Sequence, residues 1–131
     1  MKPQKRIFVS YHVEDQYARE ILGSETKSDS MDFVFVDYHP LAEFRETQRR
    51  ECRRLIEGTE VTLCLIGEKT HQTEKILWEL ETSYEMGHKV LGIRIYRDQY
   101  HLVPSPLVKH CSKIIYGNVP AIVNELEGGL D

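Results

Sequence analysis

VTLCLIGEKTHQTEKILWELETSYEMGHKVLGIRI, residues 61–95, decides the fold. Val61–Ile66 is the most apolar run in the chain and reads as the central strand of a sheet. Gly67–Gln72 is a loop, and Thr73–Gly87 follows it with helical periodicity. With Ile76 at the origin of a helical wheel, Leu77, Leu80, Ser83, Tyr84 and Gly87 share one arc, and Glu81 and Glu85 point away. Val90–Ile95 is the next strand. Strand, helix and strand at this spacing predict a parallel pair joined by a crossover.

The same alternation extends both ways. Arg6–Tyr11 is a short apolar run after a polar terminus, read as a strand buried on both faces. Val13, Tyr17, Ile21 and Leu22 recur at helical spacing, with Glu14 and Asp15 in the first turn and the polar turn Gly23–Ser30 as the stop. Phe33–Val36 is the second strand and leads into Asp37, Tyr38, His39 and Pro40. Leu41–Gly58 reads as one long helix with Leu41, Phe44, Gln48, Cys52, Leu55 and Ile56 on its apolar side. Tyr96–Leu107 carries two prolines and no period, so it is expected to be a surface loop. Ser112–Tyr116 is a short fifth strand and Val119–Leu126 a closing helix. The fold expected is a single α/β domain over 1–131, flavodoxin-like. Its five parallel strands run in the order 2-1-3-4-5 with helices on both faces.

Composition bounds the function. With 131 residues the chain is one domain's worth, and 40% hydrophobic against 29% charged residues is ordinary globular composition. A net charge of −4 argues against a general nucleic-acid binder. The cluster Arg45, Arg49, Arg50, Arg53 and Arg54 is interleaved with Glu43, Glu46 and Glu51 and reads as a solvated helix face with local ion pairs. No signal peptide or membrane span is expected, and three scattered cysteines fit reduced thiols in a cytoplasm. No HExxH motif or histidine–cysteine pairing at zinc spacing occurs, so no metal is expected.

In this topology the ligand crevice lies beyond the carboxyl ends of strands one and three. That gathers Ser10, Tyr11 and His12, the Asp37–Pro40 loop, and the Gly67 loop with the helix after it. No GxGxxG, GxxxxGK[ST] or GxSxG motif is present. A phosphorylatable aspartate is absent from the end of strand three, which reads Leu65, Ile66, Gly67. Glu79 falls about 60° off the apolar arc, beside Ser83, and is either a solvated helix glutamate or a half-buried carboxylate at the cleft. Ser10 and His12 alternate with Tyr11 and share one face, in either a structural or a substrate-holding role. Asp15 reads as an acid favoured by the helix dipole. Trp78 lies on the polar side of the wheel, as a partner surface or a lone exposed aromatic.

RIFVSYHVED (Arg6–Asp15) resembles the first-strand motif of the TIR-like proteins of bacterial Thoeris anti-phage defence. VTLCLIGEKT, WEL and EMGHKVLGIRI resemble the third strand, glutamate-bearing helix and fourth strand of the same family. One departure stands out: Lys75 occupies the position, four residues before the glutamate, where the family commonly carries tryptophan. The resemblance implies a TIR-like enzyme that cleaves the nicotinamide–ribose bond of NAD+ and makes a cyclic or modified ADP-ribose signal for a separate effector. It places the catalytic glutamate on Glu79, the serine on Ser10 and the histidine on His12. Phe8, Tyr11 and Asp37 join Ser10 and His12 as candidate substrate-binding residues. NAD+ is then substrate and no cofactor is expected, and self-association is a further expectation for TIR enzymes. Two rivals stand beside this reading: a non-catalytic TIR-like adaptor and a nucleoside deoxyribosyltransferase-like enzyme.

Overall fold

The computed structural model describes residues 2–128; Met1 and residues 129–131 of the expected single domain lie outside the described residues. Five strands form one parallel sheet: β1 (Gln4–Ser10), β2 (Asp32–Val36), β3 (Val61–Ile66), β4 (Lys89–Arg94) and β5 (Ile114–Tyr116), in the order β2-β1-β3-β4-β5. The helices are α1 (Gln16–Glu25), α2 (Glu46–Glu57), α3 (Glu74–Glu85), α4 (Ser105–Lys109) and α5 (Val119–Leu126). Sheet order and strand direction are those expected from the sequence.

All six residues of β3 are buried, which explains its unbroken apolar run: each face of the strand meets a packed helix layer. On one face Ile7, Val9, Leu63, Leu65, Leu91 and Ile93 pack with Leu22 of α1 and with Ile122 and Leu126 of α5. On the other face Phe8 packs with Cys52 and Ile56 of α2. Cys64, Ile66 and Val90 pack there with Ile76 and Leu80 of α3 and Leu107 of α4. Residues of β1 therefore divide by parity, with Phe8 and Ser10 facing α2 and α3 and Ile7 and Val9 facing α1, whose side Tyr11 joins just past the strand end.

Several elements differ from expectation, each for a local reason. The helix expected from Leu41 begins at Glu46. Pro40 is followed by irregular backbone, Leu41 is fully exposed, and the Gln48 side chain accepts the Arg45 N–H at 3.1 Å to start α2. The first helix continues through Gly23 to Glu25, and Val13 and Tyr17 lie exposed rather than inward; Leu22 and Ala18 make the contact. The stretch Tyr96–Leu107, expected to be all loop, ends in α4. Pro106 sits in that helix's first turn, where a missing N–H costs nothing, and five residues are too few to show a period. Gly92 makes room for α4: a Cβ there would lie 3.1 Å from Leu107. Trp78 is neither a lone nor an open aromatic; it packs edge-on to Phe44 at 5.2 Å, with the Arg53 guanidinium over its ring.

Candidate active site

β1 ends at Ser10, whose neighbour across the sheet on β3 is Cys64. From the second turn of α3, Glu79 reaches back to that strand end. Ser10 Oγ donates a hydrogen bond to Glu79 Oε1 at 2.7 Å. The other oxygen, Oε2, accepts from Lys75 Nζ at 2.8 Å and from Cys52 Sγ at 3.4 Å. The glutamate has 0% exposure, and the Lys75 side chain retains 17%. The wheel left Glu79 as either a solvated glutamate or a half-buried carboxylate; the structure encloses it fully. Because α2 and β1 flank α3 as well as β3, its buried arc widens beyond Ser83 to take in Glu79 and Thr82.

A polar seam continues along the inner side of α3. Ser83 Oγ donates to the Glu79 carbonyl at 2.8 Å, and Thr62 Oγ1 donates to Ser83 Oγ at 2.8 Å. These bonds satisfy groups that burial would otherwise penalise. Burial is the largest influence on Glu79 and pushes its carboxyl pKa up, while Lys75, Ser10 and Cys52 pull it back. The same burial, with the Glu79 charge close by, drives the Cys52 and Cys64 thiols well above their ordinary range. They are therefore neutral neighbours of the carboxylate and not nucleophiles.

Tyr11 lies on the opposite face of β1 from Ser10. Its hydroxyl donates to Asp37 Oδ2 at 2.5 Å, with Arg19 Nε at 3.7 Å and His39 Nε2 at 3.8 Å from the same oxygen. The His39 ring meets Tyr11 edge-on at 4.5 Å. Burial chiefly, and then the Lys75 charge, hold the His39 pKa below its ordinary value, against the pull of Asp37. His12 follows the strand end, where its Nδ1 accepts the Glu14 N–H at 3.1 Å and caps the short 3-10 turn Val13–Asp15. Phe8 sits one pleat below Ser10 on the same face, fully buried against Cys52 and Ile56.

Asp15, expected to be a helix-dipole acid, is buried and receives the Tyr96 hydroxyl on Oδ1 at 2.9 Å. Gly67 fits tightly against it, since a Cβ there would stand 2.3 Å from Asp15 Oδ2. Thr70 Oγ1 accepts the Gly67 N–H at 2.8 Å and fixes the turn that launches α3. A cavity of about 230 Å³ at this edge is lined by Glu14, Asp15, Glu68, Tyr96, Gln99 and His101.

The structure therefore joins Ser10 directly to Glu79, and Tyr11 directly to Asp37. His12 is held by its own turn, and Phe8 lies beneath. Sequence reasoning did not single out Lys75, Cys52 or His39 as site residues. Lys75 was legible, because residues four apart on a helix are neighbours.

Comparison with known proteins bears on the fold and the family. The solved structure of a conserved protein from Enterococcus faecalis V583 superposes with a TM-score of 0.62, covering 97% of this chain and 99% of that one at 9% identity. The Clostridium botulinum CMP N-glycosidase BcmB superposes with a TM-score of 0.55, covering 96% and 100% at 15% identity. At such identities both likenesses show the fold alone. A Bacillus cereus (strain MSX-D12) protein named "Putative cyclic ADP-D-ribose synthase ThsB1" is 29% identical over 111 residues, which cover 77% of this chain. The chain spans 58% of that relative's length. The model of the family described as Thoeris protein ThsB, TIR-like domain, matches residues 8–100, from Phe8 through Glu79 to the strap beyond β4, and the chain belongs to that family.

Proposed function

We propose that this chain cleaves the nicotinamide–ribose bond of NAD+, releases nicotinamide, and converts the ADP-ribosyl group to a cyclic or otherwise modified ADP-ribose. That product would activate a separate effector in anti-phage defence. Family membership and the name of the Bacillus cereus relative support the substrate class. The observation that carries the reading is the Ser10–Glu79 hydrogen bond, which sets a buried carboxylate at the carboxyl end of β1.

The chemistry suits one carboxylate. The C1′–N1 bond breaks with its electron pair going to the pyridinium nitrogen, so nicotinamide leaves neutral and needs no general acid. Positive charge develops on the ribose, as in glycoside hydrolysis. Glu79 stabilises that charge in a low-dielectric setting, and Ser10 holds the carboxylate in place. Capture by an adenine nitrogen gives a cyclic product; capture by water gives ADP-ribose and a proton. NAD+ enters as substrate, with no further cofactor in the scheme.

The test is nicotinamide release from NAD+ by the pure chain, beside a Glu79→Gln variant. Glutamine keeps an acceptor for Ser10 but removes the charge, so turnover should fall by about 100- to 1,000-fold. Full turnover by the variant would remove Glu79 from the mechanism. Free base released from deoxynucleosides, with NAD+ untouched, would favour the deoxyribosyltransferase reading. Release of neither product, even by concentrated protein, would favour a non-catalytic adaptor.

A further inference from the structure

Three side chains donate to Glu79, and they differ in freedom to leave. Ser10 is fixed on a buried strand and Cys52 is fully buried within the α2 layer. Lys75 stands in the first turn of α3 on a flexible four-carbon stem, and its side chain already reaches solvent. A ligand can therefore meet Glu79 by displacing Lys75, without breaking β1 or the core. Such a ligand must replace what the ammonium supplies, a positive charge within hydrogen-bond range of Oε2. An uncharged ligand would leave the buried carboxylate unpaired, which is strongly unfavourable.

We infer that Lys75 is a resident stand-in for the positive charge of the substrate, so that this site opens to an oxidised, positively charged pyridinium dinucleotide and stays closed to its reduced, neutral form. The inference rests on the reading of Glu79 given above. Lys75 thereby sets specificity: it competes with the pyridinium and the ribosyl cation for one carboxylate, and a neutral dihydropyridine cannot evict it.

The wild-type chain provides the direct test. Each lysine is acetylated with an N-hydroxysuccinimide ester, and its rate is followed by peptide mass spectrometry. Lys109, exposed and facing Glu81 rather than Glu79, is the internal reference. Alone, Lys75 should react slowly. Saturating NAD+ should raise its rate several-fold relative to Lys109, and NADH should leave it unchanged. A second arm measures affinity at pH 8: Lys75→Met should bind NAD+ more tightly than wild type and NADH no more tightly. A Lys75 rate that NAD+ fails to raise, or that NADH raises equally, overturns the inference. Nicotinamide release from a chain whose Lys75 stays protected refutes this role and leaves the enzyme reading standing. Lys75 uncovered by NAD+ without nicotinamide release does the reverse.

Discussion

Replacing Lys75 by methionine keeps most of the apolar stem and removes only the ammonium that faces Glu79. The carboxylate is then fully buried without its cation. Breaking a buried pair from one side costs about 3–5 kcal/mol. Glu79 has an escape, because it can take a proton from solution. For a carboxyl with an ordinary value of about 4.3, that escape costs 1.36 kcal/mol per pH unit, or about 3.7 kcal/mol at pH 7 and about 1 kcal/mol at pH 5. Burial already raises the folded value in the wild type, so these figures are ceilings on the difference. A raised carboxyl contributes stability that is full below its ordinary value and is lost as pH rises through the folded value. Losing Lys75 raises the folded value further and extends that loss to higher pH. The variant should therefore be about 3 kcal/mol less stable than wild type at pH 7 and within about 1 kcal/mol of it at pH 5. Urea unfolding followed by circular dichroism at both pH values measures the difference. An equal gap at the two pH values refutes the counter-ion argument. So does a gap at pH 7 below about 0.5 kcal/mol, the range of an ordinary surface substitution.

Gly67→Ala should destabilise the chain by about 1–3 kcal/mol, because its Cβ would drive into the Asp15 carboxylate; thermal melting checks this, and an unchanged Tm would refute the close packing. Tyr96→Phe removes the bond to Asp15 and should cost about 1–2 kcal/mol, with faster amide exchange across 95–101 and little change on α5. A thiol reagent should label Cys111 quickly in the folded chain, and Cys52 and Cys64 only after unfolding, since the first is exposed and the others are buried with raised thiol pKa values. Rapid labelling of Cys52 in folded protein would show that the Glu79 enclosure opens without ligand.

The apolar run Val61–Ile66 and the alternation around it were enough to place five parallel strands in order, because a strand buried on both faces has little use for polar residues. Boundaries were legible where the chain carries a periodic face, as at Val119–Leu126. They were not at α4, whose five residues complete too little of a helical turn pattern, nor before α2, where Leu41 looked inward on the wheel but has no neighbour to cover it.

The candidate site divides the same way. The sequence brought Ser10 and Glu79 to one end of one sheet, since topology rules act on strand order alone. A helical wheel sees one helix, so it left Glu79 on a shoulder, at the margin of the face that meets the sheet. Only the packed structure brings α2 against α3 and β1, with Cys52 and Ser10 from 27 and 69 residues away on the two carboxylate oxygens. Lys75 was beside Glu79 all along, by helical spacing. That its ammonium faces a buried carboxylate was decided by tertiary packing, which strips water from Glu79 and makes the pairing matter.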